Sequence, residues 1–198
     1  MIQQDEATLT AWQDFYRRHF NEDHDFSALS LPETAAGFGT LIVVAKGLTP
    51  LRAAKRCAEL FGVHWYAYNM DRNEGHGPYG HSRIAHADYA LWLEDGVSCI
   101  EESEEAFQLA TIQHRHDGMT MLVRLLFELK YFDETGEHPC PSVSNENYLL
   151  CFGTWNENGS EGRRDDIAQM GWCSSENTTD PNKAFRFSPH LGSHFYYF

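Results

Sequence analysis

A chain of 198 residues with 42% hydrophobic and 14% aromatic content can bury a substantial core, which excludes global disorder. Its 15 Lys and Arg stand against 29 Asp and Glu, and the formal net charge of −14 opposes nonspecific attraction to nucleic acid or anionic lipid. The sequence contains no apolar run of about 18 residues, which argues against a membrane-spanning helix.

The start, "MIQQDEATLT", is polar and lacks the basic-then-apolar layout of a secretory signal, so a cytoplasmic protein is expected. Cys57, Cys99, Cys140, Cys151 and Cys173 are an odd set without CxxC pairs, which fits reduced thiols rather than a disulfide framework. Cys57 falls in a helical pattern and Cys99 and Cys151 in strand patterns, as small buried hydrophobes do. The expected architecture is α+β (or α/β), one domain over 1–198. In it a mixed sheet packs against a central buried helix and a strand-helix-strand unit.

In chain order, residues 1–25 read as an amphipathic helix. Leu9, Trp12, Tyr16 and Phe20 recur at helical spacing, Asp5 is available as N-cap, and Asp14, Arg17 and Arg18 turn outward. A polar, then Gly-bearing connection follows. "TLIVVAK" is a β-branched apolar run suited to a strand buried on both faces. Thr49 then caps a helix with Pro50 in its first position, Leu51, Ala54, Ala58 and Phe61 as its apolar stripe, and Gly62 as its stop. "VHWYAYN" resumes strand character.

Residues 69–87 form a long Gly- and His-bearing loop, and connections of that length are usually functional or mobile. "DYALWLEDGVSCI" is strand-like, with Asp95-Gly96 as a tight turn, and "EESEEAFQLATIQH" is helical with acids in its first turn. In "GMTMLVRLLFELKYFDETGEHP", Met119, Leu122, Val123, Leu125, Leu126, Leu129 and Phe132 nearly encircle a helix. Arg124, Glu128 and Asp133 are left as a narrow polar edge. This predicts a core helix over Thr120–Thr135 ended by Gly136, with Arg124 and Glu128 as an i,i+4 pair rather than a catalytic couple. The tail reads as β: "NYLLCFGTW" and "IAQMGWCS" with a polar link between them, followed by "FRFSPH" and "HFYYF" as short strands or, equally, a docked aromatic tail.

Chemistry-bearing clusters are few. His76, His81 and His86 with Asp88 supply the imidazole and carboxylate ligands of a divalent metal site, but their spacing matches no standard signature and a polar surface loop explains them more simply. His114, His116 and Asp117 fall where one helix ends and the next begins, a capping position. "KGLTP" sets a helix N-terminus after a strand, yet no phosphate-binding glycine motif accompanies it. "EESEE" is an acidic helix start before it is a cation site. Trp65, Tyr66, Tyr68 and Trp92 alternate as pocket linings or sheet packing would.

The core-helix segment resembles one recurring in a family of small uncharacterised bacterial proteins, with the pattern GxTLLERLLxELKYFxETGxHLD. The likeness extends to "LIVVAKGLTPLRAAKRCAELFG", "YALWLEDGVSCIEESEE", "YLLCFGTW" and, more loosely, "GWCSSENTTD". The family brings no activity. Its loop before "YALWL" is shorter and lacks these histidines, and it lacks the Asp95-Gly96 turn.

No catalytic residue and no cofactor are therefore expected. The leading reading is an acidic, non-catalytic interaction module for a protein or small-molecule partner, without direct nucleic-acid binding. A metal-dependent hydrolase using the 76–88 loop is the alternative, and an acidic mimic of nucleic acid the third.

Overall fold

The computed structural model describes residues 2–33, 36–61, 79–81, 85–94, 120–137, 148–156, 167–174 and 185–191. It is an α+β protein whose chain divides into two compact units, Met1–Leu48 with Ala85–Gly96, and Thr49–Ile84 with Val97–Phe198. Among the described residues no helix is long and apolar enough to cross a membrane.

In the first unit, α1 (Ile2–Phe20) presents Trp12, Phe15 and Tyr16 inward, with Leu9 and Phe20 half-buried. Phe15 widens the apolar stripe beyond the i, i+4 row. It packs edge-on against Trp12 at 5.0 Å and Tyr16 at 5.6 Å between ring centroids, the arrangement aromatic quadrupoles favour. The helix begins at Ile2, so Asp5 lies within its first turns instead of capping it. The preceding Gln residues are good helix formers and carry the helix past that point. Arg17 remains exposed and bridges Asp14 and Asp23.

β1 (Phe38–Val44) pairs antiparallel with β3 (Tyr89–Glu94), in register from Leu41 opposite Trp92 to Val44 opposite Tyr89. Ile42, Val43 and Val44 are fully buried, which places apolar packing on both faces of β1 as its β-branched run requires. The two strands are adjacent in space although more than forty positions separate them in sequence. The chain leaves β1 through Gly47, at φ +79°, a conformation that glycine adopts without a Cβ penalty. Its N–H donates to the Ala85 carbonyl at 2.8 Å, which ties the departing and returning chain together.

In the second unit, α2 (Pro50–Phe61) starts as its sequence dictates. Thr49 Oγ1 accepts from the Arg52 N–H at 3.3 Å, and Pro50 takes the first helical position. Its buried face is Ala53, Ala54 and Cys57; Leu51 and Ala58 are half-buried, so the stripe is turned slightly from the expected one. These small side chains let α2 lie close to α3 (Met121–Thr135), where the Cys57 thiol reaches the Leu125 carbonyl at 3.9 Å.

α3 is the expected core helix. Thr120 Oγ1 accepts from the Val123 N–H at 3.2 Å, and Gly136, at φ +73°, closes the far end by donating its N–H to Phe132. Every residue from Met121 to Lys130 is buried. α3 also lies against β4 (Tyr148–Asn156) and β5 (Ile167–Ser174). These belong to an antiparallel sheet ordered β2-β4-β5-β6, with β2 at Tyr79–His81 and β6 at Phe185–Leu191. The expected strand over "VHWYAYN", the Asp95-Gly96 turn and the "EESEE" helix lie outside the described residues.

The Thr120 cap is directly testable. Thr120→Ala is expected to cost about 1 kcal/mol in urea unfolding, whereas Thr120→Ser, which keeps the hydroxyl, is expected to cost much less.

Candidate functional site

The histidine series does not come together as one described cluster. His76 lies outside the described residues. His81 ends β2 in the second unit, opposite Thr154 of β4. His86 and Asp88 belong to the first unit, where His86 is exposed and Asp88 half-buried. Asp88 is already engaged structurally, since its Oδ1 accepts from the Lys46 backbone N–H at 2.7 Å, beside the Gly47–Ala85 bond. The carboxylate thus holds together the two chain passages that flank the 49–84 segment. Among the described residues no group of three or more His, Cys, Asp or Glu could hold a metal ion. His114, His116, Asp117, "EESEE", Trp65, Tyr66 and Tyr68 also fall outside the described residues.

Two other groupings carry the polar chemistry of the interior. The first lies in the second unit. Arg124 and Glu128, expected as an i,i+4 pair on the narrow polar edge of α3, are both wholly buried and form an ion pair through Nη1 and Oε2. Only Asp133 of that edge is exposed. The Arg124 guanidinium also lies 5.5 Å from the centre of the Phe127 ring. Beside this pair on α2, burial pushes the Cys57 thiol well above its ordinary value. The Glu128 charge acts in the same direction, while Arg124 and Arg56 oppose it. The thiol is therefore held neutral, the opposite of the electropositive, accessible setting that makes a cysteine nucleophilic.

The second grouping lies in the first unit, around Tyr16. Its hydroxyl donates to the Val43 carbonyl at 2.9 Å and accepts from the Ala45 N–H at 2.9 Å. Burial raises this phenol far above its ordinary range, against a smaller opposing effect of the bond to Ala45. A side chain satisfied as both donor and acceptor fixes the exit of β1 rather than offering a proton. His24 covers the same ring at 4.9 Å, stacks on Phe26 at 5.6 Å and meets Glu22 at 3.0 Å.

The first unit carries ten Asp and Glu against three Lys and Arg, and the second nineteen against twelve, so each has a net charge of −7, and the smaller unit concentrates it over fewer residues because it holds few basic ones. Glu6, Asp23, Asp25 and Glu33 are exposed. Asp25 accepts from the Ser27 N–H at 2.9 Å, and its bonds with Ser27 hold its carboxyl below the usual range.

The sequence signal for the buried Arg124–Glu128 pair is its i,i+4 spacing within an almost continuous apolar segment. No local pattern marks Asp88 as a backbone acceptor. No family model, curated protein or solved structure matches the chain.

The buried pair and the neighbouring thiol each give a measurable outcome. Glu128→Leu alone removes the carboxylate paired with a buried guanidinium and is expected to lower unfolding stability by about 3–5 kcal/mol, whereas Arg124→Met with Glu128→Leu is expected to recover most of it. For Cys57, the folded state keeps a proton that the unfolded chain releases above about pH 8.5. Its contribution is therefore complete below that pH and is lost as pH rises further. Cys57→Ala is expected to flatten this alkaline decline in urea-unfolding midpoints measured from about pH 7 to about pH 10, the range that brackets thiol ionisation in the unfolded chain.

Proposed function

We propose that the protein is an acidic, non-catalytic interaction module whose partner is a protein presenting basic side chains. The observation that carries this reading is the net negative charge of the first unit, ten Asp and Glu against three Lys and Arg, with Glu6, Asp23, Asp25 and Glu33 exposed on it. An acidic field of this kind steers a basic protein and repels nucleic acid. Support also comes from the interior: the Cys57 thiol is neutral and buried, the Tyr16 hydroxyl is bonded in both directions, and Asp88 braces the backbone. Each of these groups has a structural use. We include in the proposal a kinship with the small bacterial proteins that the Gly118–Pro139 segment resembles.

Elemental analysis of the full chain, purified without a histidine tag, tests the reading. The expected result is no stoichiometric metal. One equivalent of zinc, iron or manganese that disappears in His81→Ala would overturn it in favour of a metal-dependent hydrolase built on the 76–88 loop.

A further inference from the structure

We infer that a clasp centred on Asp88, at the open end of the β1–β3 ladder, makes the first unit a separately cooperative module that keeps its fold while the second unit opens. The inference stands apart from the interaction-module reading, which concerns what the first unit binds.

The first observation is where the chain is interrupted. Residues Thr49–Ile84 of the second unit lie, in sequence, between the two parts of the first. The ladder therefore lacks the tight turn that joins the strands of an ordinary hairpin, and a two-stranded ribbon is marginal without further support. Fixed bonds stand where the turn would be. Beyond the last ladder pair, Val44 opposite Tyr89, the Lys46 N–H donates to Asp88 Oδ1 at 2.7 Å and the Gly47 N–H to the Ala85 carbonyl at 2.8 Å. The Leu48 N–H then turns back to the Ala45 carbonyl at 3.2 Å. Every partner in these bonds belongs to the first unit.

The second is that this unit has a core of its own, tied to the clasp. Trp12, Phe15, Tyr16 and Phe26 are fully buried, and their rings form a continuous set running from Trp12 on Phe15, through Phe15 on Tyr16, to Tyr16 on Phe26 at 5.7 Å. The Tyr16 hydroxyl joins that set to the Val43 carbonyl and the Ala45 N–H, immediately before Lys46 and Gly47. Core and clasp thus converge on the same few residues. The second unit is built separately, around α3, whose ends are closed by its own Thr120 and Gly136.

The third is the cost of closure. Once the second unit unfolds, Thr49–Ile84 becomes a loop whose ends the clasp still holds. The entropy lost in closing a flexible loop grows only with the logarithm of its length, so the ladder survives the melting of the segment it brackets. The bond that does most of this is charge-assisted, since the Asp88 carboxylate is the acceptor, and such bonds are about twice as strong as neutral ones. Glu6, Asp23, Asp25 and Glu33 lie on this module, so its acidic surface outlasts the opening.

Hydrogen exchange of the full chain, followed residue by residue in rising but sub-denaturing urea, reads the opening of each unit. The amides of Ile42–Val44 and of Leu125–Leu129 should converge on two distinct urea dependences. Asp88→Ala should speed exchange across Ile42–Val44 by about tenfold and leave Leu125–Leu129 unchanged. Asp88→Asn, which keeps an oxygen acceptor, should restore much of that protection. Thr120→Ala should do the converse, acting on Leu125–Leu129 alone. One urea dependence shared by both segments would overturn the inference. So would Asp88→Ala acting on both segments alike, or on neither. Should that variant not fold, the unaltered chain decides, because one dependence or two is read without any substitution.

Discussion

Burial of α3 is the constraint on which the second unit depends. Leucine, valine and methionine surround this helix so completely that no orientation leaves a wholly polar side toward water. Covering it brings Arg124 and Glu128 into the interior as well, where an isolated charge would be very costly. Their i,i+4 spacing makes that tolerable, because on a helix the two side chains lie one turn apart and can neutralise each other. The same demand shapes α2: Ala53, Ala54 and Cys57 are small enough to bring its backbone close to α3. Proximity to Glu128 then helps keep the Cys57 thiol protonated.

The first unit solves a different problem, that of closing a two-stranded ladder whose strands are separated by a long excursion of the chain. A two-stranded ribbon is marginal in water unless something packs on it. Here α1 reaches the ribbon through Tyr16, which is buried beside Trp12 and Phe15. Tyr16 goes further by bonding the Val43 carbonyl and the Ala45 N–H, groups on either side of the point where β1 ends. Asp88 and the Gly47–Ala85 bond complete the closure on the β3 side. These polar contacts do at the end of the ladder what a tight turn does in an ordinary hairpin.

Much of this is legible in the sequence wherever the signal is local. The core helix can be read with both its ends, since Thr120, Gly136 and the apolar periodicity between them all lie within one segment. β1, α2, β3 and the β4–β5 pair are legible for the same reason. The pairing of β1 with β3 is not, because strand pairing across an intervening helix leaves no local mark. Burial of Arg124 and Glu128 escapes a sequence reading because two charged residues among leucines have the same composition as a solvent-facing edge. Residue type alone groups Asp88 with the histidines, whereas its described contact is with a backbone N–H that only the fold brings near.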